Sequence, residues 1–154
     1  MAGRFRFLGN LSGRRTSFAG LRLRLLTALP RLPAMRLLRI GLAQIDCTVG
    51  DLDGNFDRIV SRIHEARALG VDILVFPEMV LPGYPPEDLL LKPAFIQRTI
   101  ERTRDLLPHT LGMTVVVGSI ERDLDLYNSA AILHDGQWAG TARKRYLPNY
   151  GVFD

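Results

Sequence analysis

A chain of 154 residues, 47% of them hydrophobic, has the length and apolar content of one globular domain. Its net charge of +4 misdescribes that domain: residues 1–34 hold seven arginines and no acid, which leaves 13 of the 20 basic residues against all 16 acidic ones. A mildly acidic folded part argues against a nucleic-acid binder, a lone Cys47 excludes an intrachain disulfide and a cysteine-based zinc site, and no apolar run approaches the roughly 18 residues that span a bilayer.

Residues 1–34 read as a basic disordered leader or as translation from a start codon set too early, with Met35 the natural start. The same Arg-, Leu- and Ser-rich, acid-free composition also fits a mitochondrial-type transit peptide. Arg22, Arg24 and Arg31 interrupt any apolar region of a secretory signal. The folded domain is expected over residues 35–154.

Residues 37–45 are short and apolar, the pattern of a buried strand. Gly50-Asp51-Leu52-Asp53-Gly54 supplies turn formers and a helix cap. Phe56, Ile59, Val60, Ile63, Ala66 and Leu69 then recur at the spacing of an amphipathic helix, and Gly70 stands where a C-terminal glycine belongs. Residues 72–76 form a continuous apolar strand, expected to be buried on both faces. Strand, helix, strand with a short final turn implies parallel neighbours. After a proline-rich loop, a second helix is predicted from Asp88 or Pro93 to Leu107, with Ile96, Ile100, Thr103 and Leu107 inward. Strands follow at 113–120, 127–134 and 138–143, the last two joined by the Asp135-Gly136 turn. The order βαβαβββ is α/β with a mixed sheet.

Glu78 is the most informative residue, two places beyond an apolar strand in Phe76-Pro77-Glu78. Ligands bind at the carboxyl ends of parallel strands. Partial desolvation beside Phe76 and Met79 is expected to raise its pKa towards that of a general base; the plainer reading is an exposed loop glutamate. Lys144 ends the fifth strand in a basic triplet, ordinarily a solvated charge. Set beside Glu78, its ammonium could stabilise the oxyanion of acyl transfer. Cys47 is rejected as a nucleophile, having neither a neighbouring base nor a helix start directly after it. His64, His109 and His134 suggest no triad or metal site, and no phosphate-binding glycine motif is present.

Together these motifs resemble the carbon–nitrogen hydrolase, or nitrilase, superfamily. Ala43-Gln44-Ile45, Val75-Phe76-Pro77-Glu78, Tyr127-Asn128-Ser129-Ala130 and Lys144-x-x-Leu147-Pro148 fall in the family's order. The resemblance implies an α-β-β-α sandwich, of which this would be the N-terminal part, with a Glu–Lys–Cys triad. Glu78 corresponds to its general base and Lys144 to its lysine. Residues 83–91 (GYPPEDLLL) and 147–154 (LPNYGVFD) look like the glutaminase part of glutamine-dependent NAD synthetases. In that family this part hydrolyses L-glutamine and passes ammonia to a separate synthetase domain, which uses ATP and Mg to amidate deamido-NAD.

On the same resemblance Tyr150 is similar to a glutamine-contacting tyrosine. Cys47 stands where these enzymes often have proline. The triad cysteine follows the lysine in the family and is absent from these 154 residues, so the chain alone is expected to be inactive, with a sheet edge and an apolar helix-packing face exposed. No cofactor is expected in this part. The full enzyme would be a cytoplasmic homo-oligomer that binds neither nucleic acid nor membrane. Alternatives are a fragment of another nitrilase-superfamily amidase, or a non-catalytic binding or assembly fragment.

Overall fold

The computed structural model describes residues 37–146; the leader and Tyr150 lie outside them. Strand β1 (Ile40–Leu42) leads through helix α1 (Leu52–Ala68) to β2 (Ile73–Val75). Helix α2 (Pro93–Asp105) follows, flanked by short 3-10 turns at Glu87–Leu91 and Leu107–Thr110. Strands β3 (Thr114–Arg122), β4 (Leu126–His134) and β5 (Gln137–Arg143) complete one five-stranded sheet in sequential order. β1, β2 and β3 run parallel, and β3, β4 and β5 alternate in direction. The sheet is thus mixed.

The caps follow from local chemistry. Asp51 Oδ1 accepts from the Gly54 amide at 2.9 Å and satisfies one of the orphan donors opening α1. Gly70, at φ +68°, carries the chain out of the helix beyond its last residues. Pro93 occupies the first turn of α2, where its missing N–H costs nothing. Asp135 and Gly136 both adopt positive φ, 48° and 76°, and make the tight turn between β4 and β5.

Ile59, Ile63 and Ala66 face inward as their spacing predicts, joined by Leu52 and Asn55. Leu69 does not: it is 72% exposed, because it caps the helix where the chain is already turning away. In the second helix Ile96 and Thr103 are buried, and the sealing leucine is Leu106, with Leu107 only half-buried in the following 3-10 turn.

Alternation along the sheet separates its two faces. Leu74, Val115, Val117, Ala131 and Leu133 pack with Ile59 and Ile63 under the helices. Burying each of these leucine, valine and isoleucine side chains stabilises the fold by roughly 1.5–3 kcal/mol. The other face is covered far less: Ile40 is 60% and Leu42 80% exposed. β2, expected to be buried on both faces, is therefore covered on one, with Leu74 buried and Ile73 and Val75 half-buried. On the helix-packing face Leu74, Val115, Val117, Ala131 and Leu133 are buried, while Trp138, paired with Leu133 and so on the same face of β5, stays 38% exposed. Among the described residues no helix is long and apolar enough to cross a membrane.

Candidate functional site

Glu78 follows β2 at its carboxyl end, on a loop that doubles back against β3. The Phe76 amide donates to Val116 O at 2.9 Å, and that of Leu81 donates to Gly118 O at 3.4 Å. Between them Met79 takes a positive φ of 52°. The loop lies so close to β3 that a Cβ on Gly118 would meet Pro77 O at 2.2 Å and Met79 N at 2.5 Å. Only glycine permits that approach.

A buried polar side chain ties down the far end of the loop. Asn55 Nδ2 donates to Thr48 O at 2.8 Å and Leu81 O at 3.0 Å, while Asn55 Oδ1 accepts from the Thr48 amide at 3.0 Å. Asn55 is fully buried, so these bonds satisfy groups that would otherwise be costly to desolvate.

Lys144 extends the β4–β5 ladder by one step: its amide donates to Asn128 O at 2.9 Å. Its Nζ donates to Glu78 Oε1 at 2.8 Å, and Asn128 Nδ2 donates to the same oxygen. The end of β5 is pinned by Arg143, whose guanidinium donates to both Glu121 oxygens at 2.8 and 3.0 Å and to Asp123 at 2.9 Å. The same group lies 4.0 Å from the centre of the Tyr127 ring.

Glu78, Asn128 and Lys144 line an open cleft of about 360 Å³, floored by Val75, Val116 and Gly118. The sheet thus brings together Glu78 and Lys144, which the sequence could link only through resemblance.

The expected rise in the Glu78 pKa is corrected. Partial burial pushes the carboxyl up, but hydrogen bonds from Lys144 and Asn128, with the Lys144 charge, outweigh it and hold the group below its ordinary range. The side chain is 43% exposed, so desolvation is limited. Folding therefore favours the carboxylate. That contribution is present above the ordinary pKa and is lost as pH falls through the lowered one. At neutral pH the site presents an ionised proton acceptor beside an ammonium donor.

Cys47 packs against the core beneath the helices and is not among the residues lining the cleft. Burial pushes its thiol up; the Arg58 charge opposes this only in part, and Asp46 adds to the rise. A thiol of this kind is a poor nucleophile at neutral pH. Cys47 should accordingly react with iodoacetamide more slowly than free cysteine, and Cys47→Ala should leave any glutamine turnover unchanged; loss of turnover on that substitution would make Cys47 a working nucleophile.

Among the described residues no group of three or more His, Cys, Asp or Glu is placed to hold a metal ion. Gly118 and Asn55 escaped the sequence reading. Asn128 entered it only as part of a motif, although its alternation with buried Ser129 and Ala131 signals a polar group on the opposite face.

The sequence pattern of the Carbon-nitrogen hydrolase family matches residues 39–153. The glutamine-dependent NAD(+) synthetase of Thermotoga maritima is 47% identical over 122 residues, 78% of this chain and 21% of that protein. That of Aquifex aeolicus is 42% identical over 120 residues, 77% of this chain and 21% of that protein. The crystal structure of a glutamine-dependent NAD(+) synthetase from Cytophaga hutchinsonii matches with a TM-score of 0.71 at 31% identity, over 74% of this chain and 20% of that one. An amidase from Nesterenkonia sp. shares the fold, with a TM-score of 0.64 at 21% identity over 74% of this chain and 44% of that one. The chain spans about a fifth of the length of the curated relatives it matches. With the family pattern running from β1 past the cleft lysine, this chain belongs to the carbon–nitrogen hydrolase family.

Proposed function

We propose that this chain is the N-terminal part of the glutaminase domain of a glutamine-dependent NAD synthetase, in which Glu78 is the general base and Lys144 the oxyanion donor. The observation that carries the proposal is the 2.8 Å contact between Lys144 Nζ and Glu78 Oε1 in an open cleft at a strand end. A relative 47% identical to this chain, the glutamine-dependent NAD(+) synthetase of Thermotoga maritima, supports the reading.

The chemistry is nucleophilic acyl transfer. Glu78 takes the proton of a cysteine thiol supplied from outside these 154 residues, and the thiolate attacks the glutamine carboxamide carbon. Lys144 stabilises the negative charge that develops on the carbonyl oxygen. The proton passes to the departing nitrogen, ammonia leaves, and water cleaves the thioester to glutamate with Glu78 again accepting a proton.

Residues 35–154 open the glutaminase domain, and residues 1–34 are a leader or a consequence of an early start codon. ATP and Mg would act in a separate synthetase domain that amidates deamido-NAD with the released ammonia. The full enzyme would be a cytoplasmic homo-oligomer.

Tyr150, six residues past the lysine, is proposed to contact glutamine. In the full-length protein Tyr150→Ala is expected to raise the KM for glutamine about tenfold with kcat nearly unchanged, since it removes a substrate contact and leaves base and oxyanion donor in place. Steady-state kinetics at saturating ATP and deamido-NAD check this. An unchanged KM would remove Tyr150 from the site.

A further inference from the structure

We propose that Asn128 is a positioning residue of this site: its side-chain amide orients the Glu78 carboxylate while its backbone carbonyl anchors Lys144, so that one residue sets the geometry of both charged groups. The inference rests on the glutaminase reading of the cleft.

The placement follows from strand alternation. Ser129, Ala131 and Leu133 of β4 point into the core beneath the helices, which sends Asn128 and Ala130 to the cleft side. Asparagine is depleted in strands, and a half-buried asparagine among alanines contributes little to packing. Here its polar groups are used twice. The backbone carbonyl accepts from the Lys144 amide at 2.9 Å, one step beyond the Ser129–Arg143 pair, and so fixes where the lysine side chain starts. The side-chain Nδ2 donates to Glu78 Oε1, the oxygen that Lys144 Nζ also meets. A carboxylate only accepts, so the NH₂ end of the amide must face it.

The convergence of two donors on Oε1 has a mechanistic consequence. With Lys144 alone, the carboxylate could rotate about its terminal bond and pair both oxygens with the ammonium. A second donor at a different angle holds the carboxylate plane and leaves Oε2 for the proton that the reaction transfers. It also leaves the ammonium less committed to Glu78 and better able to meet a developing oxyanion. Asn128 acts through Glu78 and Lys144, and the effect belongs in kcat rather than KM.

The test uses two substitutions. Asn128→Asp keeps the shape and replaces the donating NH₂ by an acceptor; Asn128→Ala removes the group. In this chain, ¹³C-carboxyl NMR follows the titration of Glu78 directly. In the full-length protein, glutamine-dependent NAD formation is followed against pH. Both variants should raise the Glu78 titration midpoint, Asn128→Asp the more because a second carboxylate then faces the first. The acidic limb of the pH profile should move up with it, kcat should fall on the order of tenfold, and KM should stay within about twofold.

An unchanged Glu78 titration in the folded Asn128→Asp protein overturns the proposal. So does a loss confined to KM, which would make Asn128 a substrate contact. Glu78→Gln measured in parallel separates this from the larger reading. If that substitution leaves glutamine use intact, the glutaminase assignment fails, whereas the NMR titration still decides whether Asn128 holds Glu78.

Discussion

Gly118→Ala is expected to destabilise the chain by about 3 kcal/mol, far more than one added methyl group ordinarily costs, and to move Glu78 away from Lys144. The new Cβ would stand 2.2 Å from Pro77 O, 2.5 Å from Met79 N and 2.8 Å from the Glu78 carbonyl carbon. These are backbone atoms and cannot swing aside as a side chain does. The loop must lift off β3, straining the Leu81–Gly118 hydrogen bond and pulling against the Asn55 clip at Leu81. Since a domain of this size is stable by only about 5–15 kcal/mol, such a loss is a large fraction of the whole.

Gly140→Ala is the control, because a Cβ at that glycine of β5 meets nothing within 4 Å. Urea unfolding of both variants beside the parent chain checks the pair. A large drop for Gly118→Ala with little change for Gly140→Ala is the expected result; equal, small changes would mean that the Glu78 loop does not depend on this close approach.

What was legible in the sequence was mostly local. The Ile59, Ile63 and Ala66 stripe and the Asp135-Gly136 turn depend on neighbours a few residues away, and the structure places them as their patterns require. Glu78 stood out because an acid just past an apolar strand is a local pattern as well. Lys144 did not, since nothing in a basic triplet distinguishes a site residue from a solvated one. Its partner lies 66 positions earlier, so only family resemblance could join them.

The direction of the Glu78 pKa failed for the same reason. Burial beside Phe76 and Met79 could be anticipated, but the two donors that outweigh it come from β4 and the end of β5. Gly118 was invisible in MTVVVGSI, where glycine looks like a small strand residue; its necessity is imposed by the loop that packs on it. The bareness of the sheet face opposite the helices was likewise beyond reach, because an apolar run such as 72–76 does not record whether one face or two are covered.

The largest functional effect is expected from the charged pair. In the full-length protein, Glu78→Gln removes the proposed proton acceptor while keeping the shape of the side chain, and should lower glutamine-driven NAD formation about a hundredfold or more. Lys144→Ala removes the proposed oxyanion donor and should cost a similar factor. On the proposed reading, deamido-NAD is amidated in a separate ATP-using domain, in which neither residue would take part. External ammonium should therefore bypass both lesions, and the two variants should form NAD from ammonium at close to the parental rate.

The decisive measurement is the ratio of glutamine-driven to ammonium-driven NAD formation in the Glu78→Gln protein at saturating ATP and deamido-NAD. A ratio that collapses about a hundredfold while the ammonium rate holds is the predicted outcome. A ratio equal to that of the parent protein would contradict the assignment of Glu78, Lys144 and their cleft to glutamine hydrolysis.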